Sequence, residues 1–365
     1  MRKVLVVVTV ALNFNGIANH VLTYIRNMNK ENLQVDLLST CEISTGIQDR
    51  IKEAGFSSIY RLEYRNRHPL QYFWDLRNLV KRNQYDIVHV HGNSSTLAID
   101  LLAAAWGGAK VRIAHSHNSS CTHAVLNKIL KPLFYMSYTQ GFACSRVAGD
   151  WMFGKRPYKI IHNAIDLNRF AFHPEIRNEI RNKLGIREDQ IALGHVANFA
   201  PAKNHEFVVE LMQEMEKEQP DKYILFLFGD GGEKKTEILN LIKDRKLQSC
   251  IRYMGAVNNL QDYLQAMDIM ILPSYYEGFP SVPEWQASGL PCILSDRIPR
   301  NADILSRAHY LPIDQGVGPW GSQIQTILQH EDRIAQLGSV EMCFNQAEMN
   351  IAVEAQKLRK YYLSC

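Results

Sequence analysis

The sequence lacks the features that mark several protein classes. Its seven cysteines are scattered through 365 residues without a C-x-x-C pair or another metal-ligand spacing. An odd number of unclustered cysteines is typical of a reducing compartment, so we expect a cytoplasmic protein without a disulfide framework. No apolar run approaches the roughly 18 residues of a membrane-spanning helix. Low-complexity tracts and internal repeats are also absent.

The first residues combine a basic start, Arg2 and Lys3, with an apolar run over residues 4–12. A signal peptide begins in this way, but the run lacks a small-residue cleavage site. The run is short, rich in valine, and broken by polar residues at 13–16, after which a helical pattern begins. This pattern predicts a buried parallel strand.

The charge is unevenly distributed along the chain. The net charge is +4, but residues 1–184 contain 24 Lys and Arg against 13 Asp and Glu, whereas the remainder contains 17 against 24. A basic half can attract anionic lipid headgroups or a pyrophosphate-linked ligand. Nucleic acid is the competing partner, but no nucleic-acid-binding motif accompanies the charge, so we expect none.

Strand-like apolar runs alternate with segments of helical period, which predicts parallel sheets covered by helices. The length allows two domains. We therefore expect an α/β fold with two doubly wound, Rossmann-like domains facing across a cleft, with ligands at the carboxyl ends of the strands. The strand-like runs are residues 4–10, 87–91, 111–115, 191–197, 223–228, 251–253, 269–272 and 292–295.

The most informative segment is residues 276–291, YEGFPSVPEWQASGLP, in which Glu277 and Glu284 flank a loop that leads into a predicted helix. A carboxylate can accept hydrogen bonds from sugar hydroxyls, and backbone N–H groups at a helix start can hold a phosphate. Ser281 and Glu284 also match a capping box, with Pro283 in the first turn. From these residues alone, the two interpretations stay open.

Five further stretches accompany this segment, and the set resembles the retaining, nucleotide-sugar-dependent glycosyltransferases of the GT-B fold. The resemblance is to the large family 4 type that builds bacterial capsule, exopolysaccharide and lipopolysaccharide, and it covers most of the chain. The stretches are residues 85–91 (YDIVHVH), 112–118 (RIAHSHN), 162–166 (HNAID), 194–199 (GHVANF) with 203–204 (KN), and 228–232 (FGDGG).

The resemblance implies an acceptor-binding domain at residues 1–165, a nucleotide-sugar-binding domain at 166–345, and a helix at 346–365 that returns to the first domain. It implies transfer with retention from a nucleotide diphosphate sugar, with UDP favoured, to a lipid-linked oligosaccharide in capsule, exopolysaccharide or O-antigen synthesis. No Asp-x-Asp motif is present, so we expect no resident cofactor and no metal. The alternatives are a nucleotide-sugar epimerase of the same fold and a non-catalytic nucleotide-sugar-binding subunit.

By the same resemblance, His117 and Glu277 are the catalytic residues beside the transferred sugar, and Lys203 binds the diphosphate. The alternatives are a satisfied buried histidine at His117, or at His115 two residues earlier, and a solvated surface lysine at Lys203. Residues two apart in a strand share a face, so both rings can line one surface. The implied donor-binding residues are Gly16, Asn198, Lys203, Gly229, Ala256, Val257, Gly278, Phe279, Pro280, Ser281 and Glu284.

The sequence departs from the family at two points. Asn198 stands where relatives usually carry an arginine that grips the diphosphate, and an amide brings no charge to that contact. Six residues separate Glu277 from Glu284, whereas relatives usually have seven. The shorter loop affects the expected sugar contacts more than the ribose contact of Glu284.

An apolar stripe at residues 126–134 lies in the basic half, beside Lys128 and Lys131. Its spacing is helical, and Pro132 is expected to kink or break the helix. Such a stripe belongs to a protein core or docks on a membrane. With a lipid-linked acceptor implied, we expect peripheral contact with the anionic inner membrane face.

Overall fold

The computed structural model describes residues 1–13, 15–121, 124–277 and 279–365. The chain divides into two compact units: Met1–Ala164 with Glu348–Cys365, here the first unit, and Ile165–Ala347, the second unit. The strands are β1 Arg2–Val8, β2 Leu33–Ser39, β3 Ile59–Arg61, β4 Ile87–Gly92, β5 Val111–Ser116, β6 Gln140–Ala143, β7 Lys159–Ile160, β8 Ile191–Val196, β9 Tyr223–Phe228, β10 Ile251–Gly255, β11 Ile269–Leu272, β12 Cys292–Ser295 and β13 His309–Leu311. The helices are α1 Gly16–Asn27, α2 Gln48–Ala54, α3 Pro69–Asn83, α4 Ala98–Gly107, α5 Ala124–Ser137, α6 Arg146–Phe153, α7 Leu167–Phe170, α8 Pro174–Leu184, α9 His205–Glu218, α10 Lys235–Asp244, α11 Leu260–Ala266, α12 Val282–Ala287, α13 Gly318–His330, α14 Arg333–Leu337, α15 Val340–Gln346 and α16 Ile351–Ser364.

Among the described residues, the first unit is built on a seven-stranded parallel sheet with the order β3-β2-β1-β4-β5-β6-β7. Strand β1 shows why the sheet is buried on both faces. Val4, Val6 and Val8 pack into one hydrophobic cluster, whereas Leu5 and Val7 pack into another. Because successive side chains of a strand point to opposite faces, an unbroken apolar run supplies both cores.

Helix α16 follows the second unit in sequence but packs in the first. Its buried residues Ile351, Ala355, Leu358 and Tyr362 join the cluster that contains Val4 and the buried face of α1. Spacings of three and four residues place these side chains on one stripe of the helix. The helix therefore completes the core on one face of the first sheet.

Among the described residues, the second unit contains a six-stranded parallel sheet with the order β10-β9-β8-β11-β12-β13. Apolar side chains of β8, β9, β11 and β12 share a core with α9 and with Trp320 of α13. In both units, the first strand of the sheet lies beside the fourth, so the connections turn in opposite directions on either side of it. This reversal is the topological switch point of a doubly wound sheet, where ligands usually bind.

Helix α5 continues through Pro132 to Ser137, so the proline does not break the helix, and a kink at Pro132 stays a prediction. Phe134 and Ser137, beyond the proline, are buried, and Ser137 Oγ donates a hydrogen bond to the Phe134 carbonyl. Burial of this last turn offsets the roughly 3 kcal/mol that an internal proline costs a helix. Within the described ranges, no helix is long and apolar enough to cross a bilayer.

Candidate functional site

The second unit places two predicted site residues at its switch point. Lys203 follows β8 and Glu277 follows the neighbouring strand β11. Lys203 Nζ donates to Glu277 Oε2 at 2.5 Å. Ser274 Oγ donates to Glu277 Oε1 at 2.8 Å. Glu277 is 7% exposed, and these two hydrogen bonds give its buried carboxylate the polar partners that water would otherwise supply.

Hydrogen bonds join the loop after β8, which carries Lys203, to the loop after β11, which carries Glu277. Residues 201–203 form one turn of 3-10 helix, and Asn204 then adopts a left-handed conformation with φ 55°. The Asn204 side chain donates to the Pro273 carbonyl at 3.1 Å, and the Tyr275 amide donates to the Ala202 carbonyl at 2.8 Å. Asparagine tolerates this conformation better than most residues. Lys203 is therefore a positioned, paired side chain and not the solvated surface lysine of the alternative interpretation.

Glycines after β9 allow a third loop to pack closely against residues 197–199, in the loop that follows β8. At Gly229, φ is 127°, and a Cβ would lie 2.1 Å from the Ala197 carbonyl oxygen. At Gly232, a Cβ would lie 2.4 Å from the backbone of Phe199. Only glycine permits these approaches. The close partner of Gly229 is thus the backbone beside Asn198, whose own side chain is exposed.

The remaining residues predicted to bind a donor in this unit vary in exposure. After β10, Ala256 is exposed and Val257 is half-buried. In the loop before α12, Phe279 is 41% exposed, Pro280 is buried and Ser281 is half-buried. Gly278 lies outside the described residues.

Glu284 lies in the first turn of α12, and its amide donates to the Ser281 carbonyl at 3.0 Å. The Ser281 side chain makes no capping hydrogen bond in the described part of the chain. A capping box needs that bond. Ser281 and Glu284 therefore do not form a complete capping box, because the hydrogen bond from the serine side is missing.

In the first unit, Gly16 begins α1 directly after the β1 loop. Asn15 caps this helix, because its side-chain oxygen accepts from the Ala18 amide at 2.9 Å. A Cβ on Gly16 would meet no described atom within 4 Å. The local fold therefore does not require glycine at this position, and the space beside it is open.

Five histidines, His20, His89, His91, His115 and His117, form what we call the histidine cluster. They come from α1, from β4, and from β5 and the residue that follows it. The rings of His115 and His117 stack at 4.3 Å, as their two-residue spacing predicts. His91 Nδ1 lies 2.9 Å from His117 Nε2, and His89 Nε2 lies 3.1 Å from His115 Nδ1.

Burial is the main cause of the lowered pKa of every ring in this cluster. It lowers the pKa of His20 to about 4 and that of His89 to about 3. The pKa values of His91, His115 and His117 lie well below the usual range, because neighbouring imidazoles add to the effect of burial. The cluster is therefore neutral at pH 7.

Only part of this cluster was predicted. His115 Nε2 is buried and has no hydrogen-bond partner among the described residues, so His115 is not a fully satisfied core histidine. The predicted site residues do not include His20, His89 and His91, although the sequence carries a signal for the position of two of them. Strands β4 and β5 pair in register, with His91 opposite His115. Two His-x-His segments in neighbouring strands therefore place four rings on one face.

Comparison with known proteins gives consistent matches along the chain. Residues 14–169 match the family described as Glycosyltransferase Family 4, and residues 176–317 match Glycosyl transferases group 1. The putative glycosyltransferase EpsF of Bacillus subtilis (strain 168) is 31% identical over 330 residues, which cover 86% of this chain and 84% of that protein.

A second relative is the Escherichia coli UDP-Gal:alpha-D-GlcNAc-diphosphoundecaprenol alpha-1,3-galactosyltransferase. It is 28% identical over 243 residues, or 60% of each chain. Among solved structures, Anabaena Alr3699/HepE in complex with UDP is similar over the whole of both chains, with a TM-score of 0.76 and 14% identity. This last likeness concerns the fold.

Proposed function

This chain belongs to the group 1, family 4 glycosyltransferases and has their GT-B fold, and we propose that it transfers a sugar with retention from a UDP-sugar to a lipid-linked oligosaccharide. We assign donor binding to the second unit and acceptor binding to the first. The observation that carries the proposal is the Lys203–Glu277 pair at the switch point of the second sheet. UDP is favoured because the similar HepE structure contains it.

The proposed reaction breaks the bond between the anomeric carbon and the diphosphate oxygen. The acceptor hydroxyl attacks that carbon on the leaving-group face, and its proton passes to the departing phosphate. Negative charge grows on the diphosphate as the bond breaks, and Lys203 is the cation that stabilises it. Glu277, held by Lys203 and Ser274, accepts hydrogen bonds from the donor sugar rather than attacking it.

The remaining roles follow the family resemblance. Glu284 binds the ribose hydroxyls, and Ala256 with Val257 seats the base. We assign Asn198, Gly229 and residues 279–281 of the second unit to the phosphates and sugar of the donor. For the first unit, the resemblance implies a donor-binding role for Gly16 and a catalytic role for His117. No metal takes part in this scheme, because side chains supply the positive charge.

The proposed acceptor and location rest on two observations. The galactosyltransferase relative acts, by its name, on a sugar joined to diphosphoundecaprenol. Helix α5 exposes Val125 (73%), Ile129 (67%) and Met136 (79%), and Lys128 beside them is also exposed. An exposed apolar face with basic residues suits contact with an anionic membrane surface. We therefore place the enzyme at the cytoplasmic membrane face, in capsule, exopolysaccharide or O-antigen synthesis.

The test is incubation of the purified protein with UDP-, GDP- and dTDP-sugars and EDTA, with or without an extract of lipid-linked acceptors, followed by NMR of the anomeric protons. We expect one UDP-sugar to be consumed only when acceptor is present, with its anomeric configuration kept in the product. Isomerisation of a donor without acceptor identifies the epimerase alternative. Binding of donors without turnover identifies a non-catalytic subunit.

A further inference from the structure

Four members of the histidine cluster converge on one point of the first unit. One ring nitrogen from each of His20, His91, His115 and His117 lies within 4.8 Å of the other three. We propose that these four nitrogens bind a single divalent transition-metal ion, for which Zn²⁺ is the best candidate.

His115 supplies the clearest ligand atom. Its ring is fully buried and its Nε2 has no hydrogen-bond partner among the described residues, whereas its Nδ1 lies 3.1 Å from His89 Nε2. A lone pair on Nε2 requires the proton on Nδ1, which is then donated to His89. His89 in turn carries its proton on Nδ1, 2.6 Å from the Tyr362 hydroxyl. This tautomer chain leaves the lone pair of the buried His115 Nε2 available to an ion.

His20 has the outer partner that metal-binding histidines usually have. Its Nδ1 lies 3.0 Å from the Asn163 side-chain oxygen, which can only accept a hydrogen bond. The proton is therefore on Nδ1, and Nε2 carries the lone pair. Such an outer hydrogen bond fixes the tautomer and the orientation of a ligating ring. Asn163 is thus a positioning residue for the proposed site.

His91 and His117 already have nearly the required separation. The 2.9 Å between His91 Nδ1 and His117 Nε2 is close to the roughly 3.3 Å between two nitrogens on a tetrahedral Zn²⁺ with bonds of about 2.0 Å. Binding replaces their shared hydrogen bond with two bonds to the ion, and the proton of that hydrogen bond moves to the other nitrogen of its own ring. No proton is released, because both rings stay neutral.

The chemistry of the ligand atoms determines which class of metal ion the site binds. These atoms are imidazole nitrogens, which suit Zn²⁺, Ni²⁺ and Cu²⁺, whereas Mg²⁺, Ca²⁺ and Mn²⁺ prefer oxygen ligands.

The site goes beyond the proposed transfer reaction, in which no step uses a metal. A metal-bound His117 cannot offer the same ring nitrogen to a sugar. Occupancy of the site therefore inhibits transfer, and chelation relieves the inhibition. Metal binding is measured without donor or acceptor, so the site and the proposed function can fail independently.

The test uses the full-length chain purified without a histidine tag and stripped of metal with EDTA, which is then removed. Calorimetric titration with ZnCl₂ at pH 7.5 and elemental analysis after dialysis should show one tightly bound ion per chain. Co²⁺ should give the intense visible absorption of a tetrahedral site. His115→Phe keeps a ring of similar shape, and we expect it to weaken binding at least about 100-fold, because loss of a ligand costs more than loss of its outer partner.

Two further variants make the result decisive. His205→Phe alters a buried histidine of the second unit and should leave binding unchanged. Asn163→Ala keeps all four ligands and should weaken metal binding about 10- to 100-fold. If circular dichroism shows that His115→Phe is unfolded, the affinity of Asn163→Ala is the test of the site. Ni²⁺ or Cu²⁺ at the same histidines supports the site. Binding that is equal in wild type, His115→Phe and Asn163→Ala overturns the proposal.

Discussion

Lys203 Nζ lies 2.5 Å from Glu277 Oε2, although 74 positions separate the two residues in the chain. The contact joins the loops that leave two adjacent parallel strands in opposite directions. The Lys203 ammonium group contacts the Glu277 carboxylate. We propose that it also binds the donor diphosphate. The pair therefore sets the position of the cation before any donor binds, which is the electrostatic preorganisation that lowers barriers.

Replacement of Lys203 tests this arrangement. Lys203→Ala should lower kcat/KM about 100- to 1,000-fold, because a donor to the developing charge is lost and Glu277 loses its cation. Lys203→Arg should retain more activity. Lys217→Ala, which removes an exposed lysine paired with Glu214, is the control and should be neutral. Equal activity in the two alanine variants would show that Lys203 does not serve the leaving group.

Asn198 offers a gain-of-function test. Its side chain is exposed at the edge of the proposed donor site, so a longer residue can be accommodated. Asn198→Arg should raise kcat/KM about five-fold, since a charge-assisted hydrogen bond contributes about 1 kcal/mol more than a neutral one. Asn198→Gln adds length without charge and should bring no gain. If Asn198→Arg also brings none, the diphosphate does not lie beside this position.

Alanine substitutions at Gly229 and Gly231 form a matched test of how a close backbone contact affects stability. Both have positive φ, but a Cβ at Gly229 would clash with the Ala197 carbonyl, whereas one at Gly231 would meet nothing described within 4 Å. We expect Gly229→Ala to lower the free energy of unfolding by about 2–4 kcal/mol and Gly231→Ala by about 1 kcal/mol. Urea denaturation measures both. Similar losses in the two variants would mean that the loop can move away from residue 197.

His205 predicts a pH dependence of stability. Burial lowers its pKa to about 2, and its ring stacks on Phe199 at 4.3 Å. The unfolded chain therefore binds a proton that the folded chain does not, and His205 costs stability as pH falls below about 6.5. His205→Phe removes this cost.

Between pH 7.5 and pH 5, the stability of His205→Phe relative to wild type should rise by about 2 kcal/mol. Urea denaturation at the two pH values measures the change. His330→Phe, the same replacement at an exposed position, is the control and should give no such change. A constant difference between His205→Phe and wild type at both pH values would contradict the argument.

Much of the fold can be predicted from the sequence, because buried parallel strands appear in it as unbroken apolar runs. The predictions at 223–228, 269–272 and 292–295 coincide with β9, β11 and β12. Strand β2 was missed because Asp36 interrupts its run. The structure buries Asp36 and gives it hydrogen bonds from Tyr85 and Gln34, partners that only the folded chain supplies.

The candidate site was less predictable than the fold. Resemblance pointed to Lys203 and Glu277, but not to their contact, which depends on strand order. Ser274 was missed because one serine three residues before a glutamate has no distinctive pattern, although its hydroxyl holds the carboxylate. His20 comes from a helix, so its approach to the strand histidines depends on packing that periodicity does not specify.

The hydrogen bond between Tyr362 and His89 has a consequence for how the molecule is made on the ribosome. The first sheet is translated early, but its covering helix α16 emerges only after residues 165–347 have been synthesised. At roughly 5–20 residues per second, that delay lasts on the order of ten to forty seconds. During this time the apolar face of α1 that α16 covers lacks its partner, and such exposed surface favours aggregation of the nascent first unit.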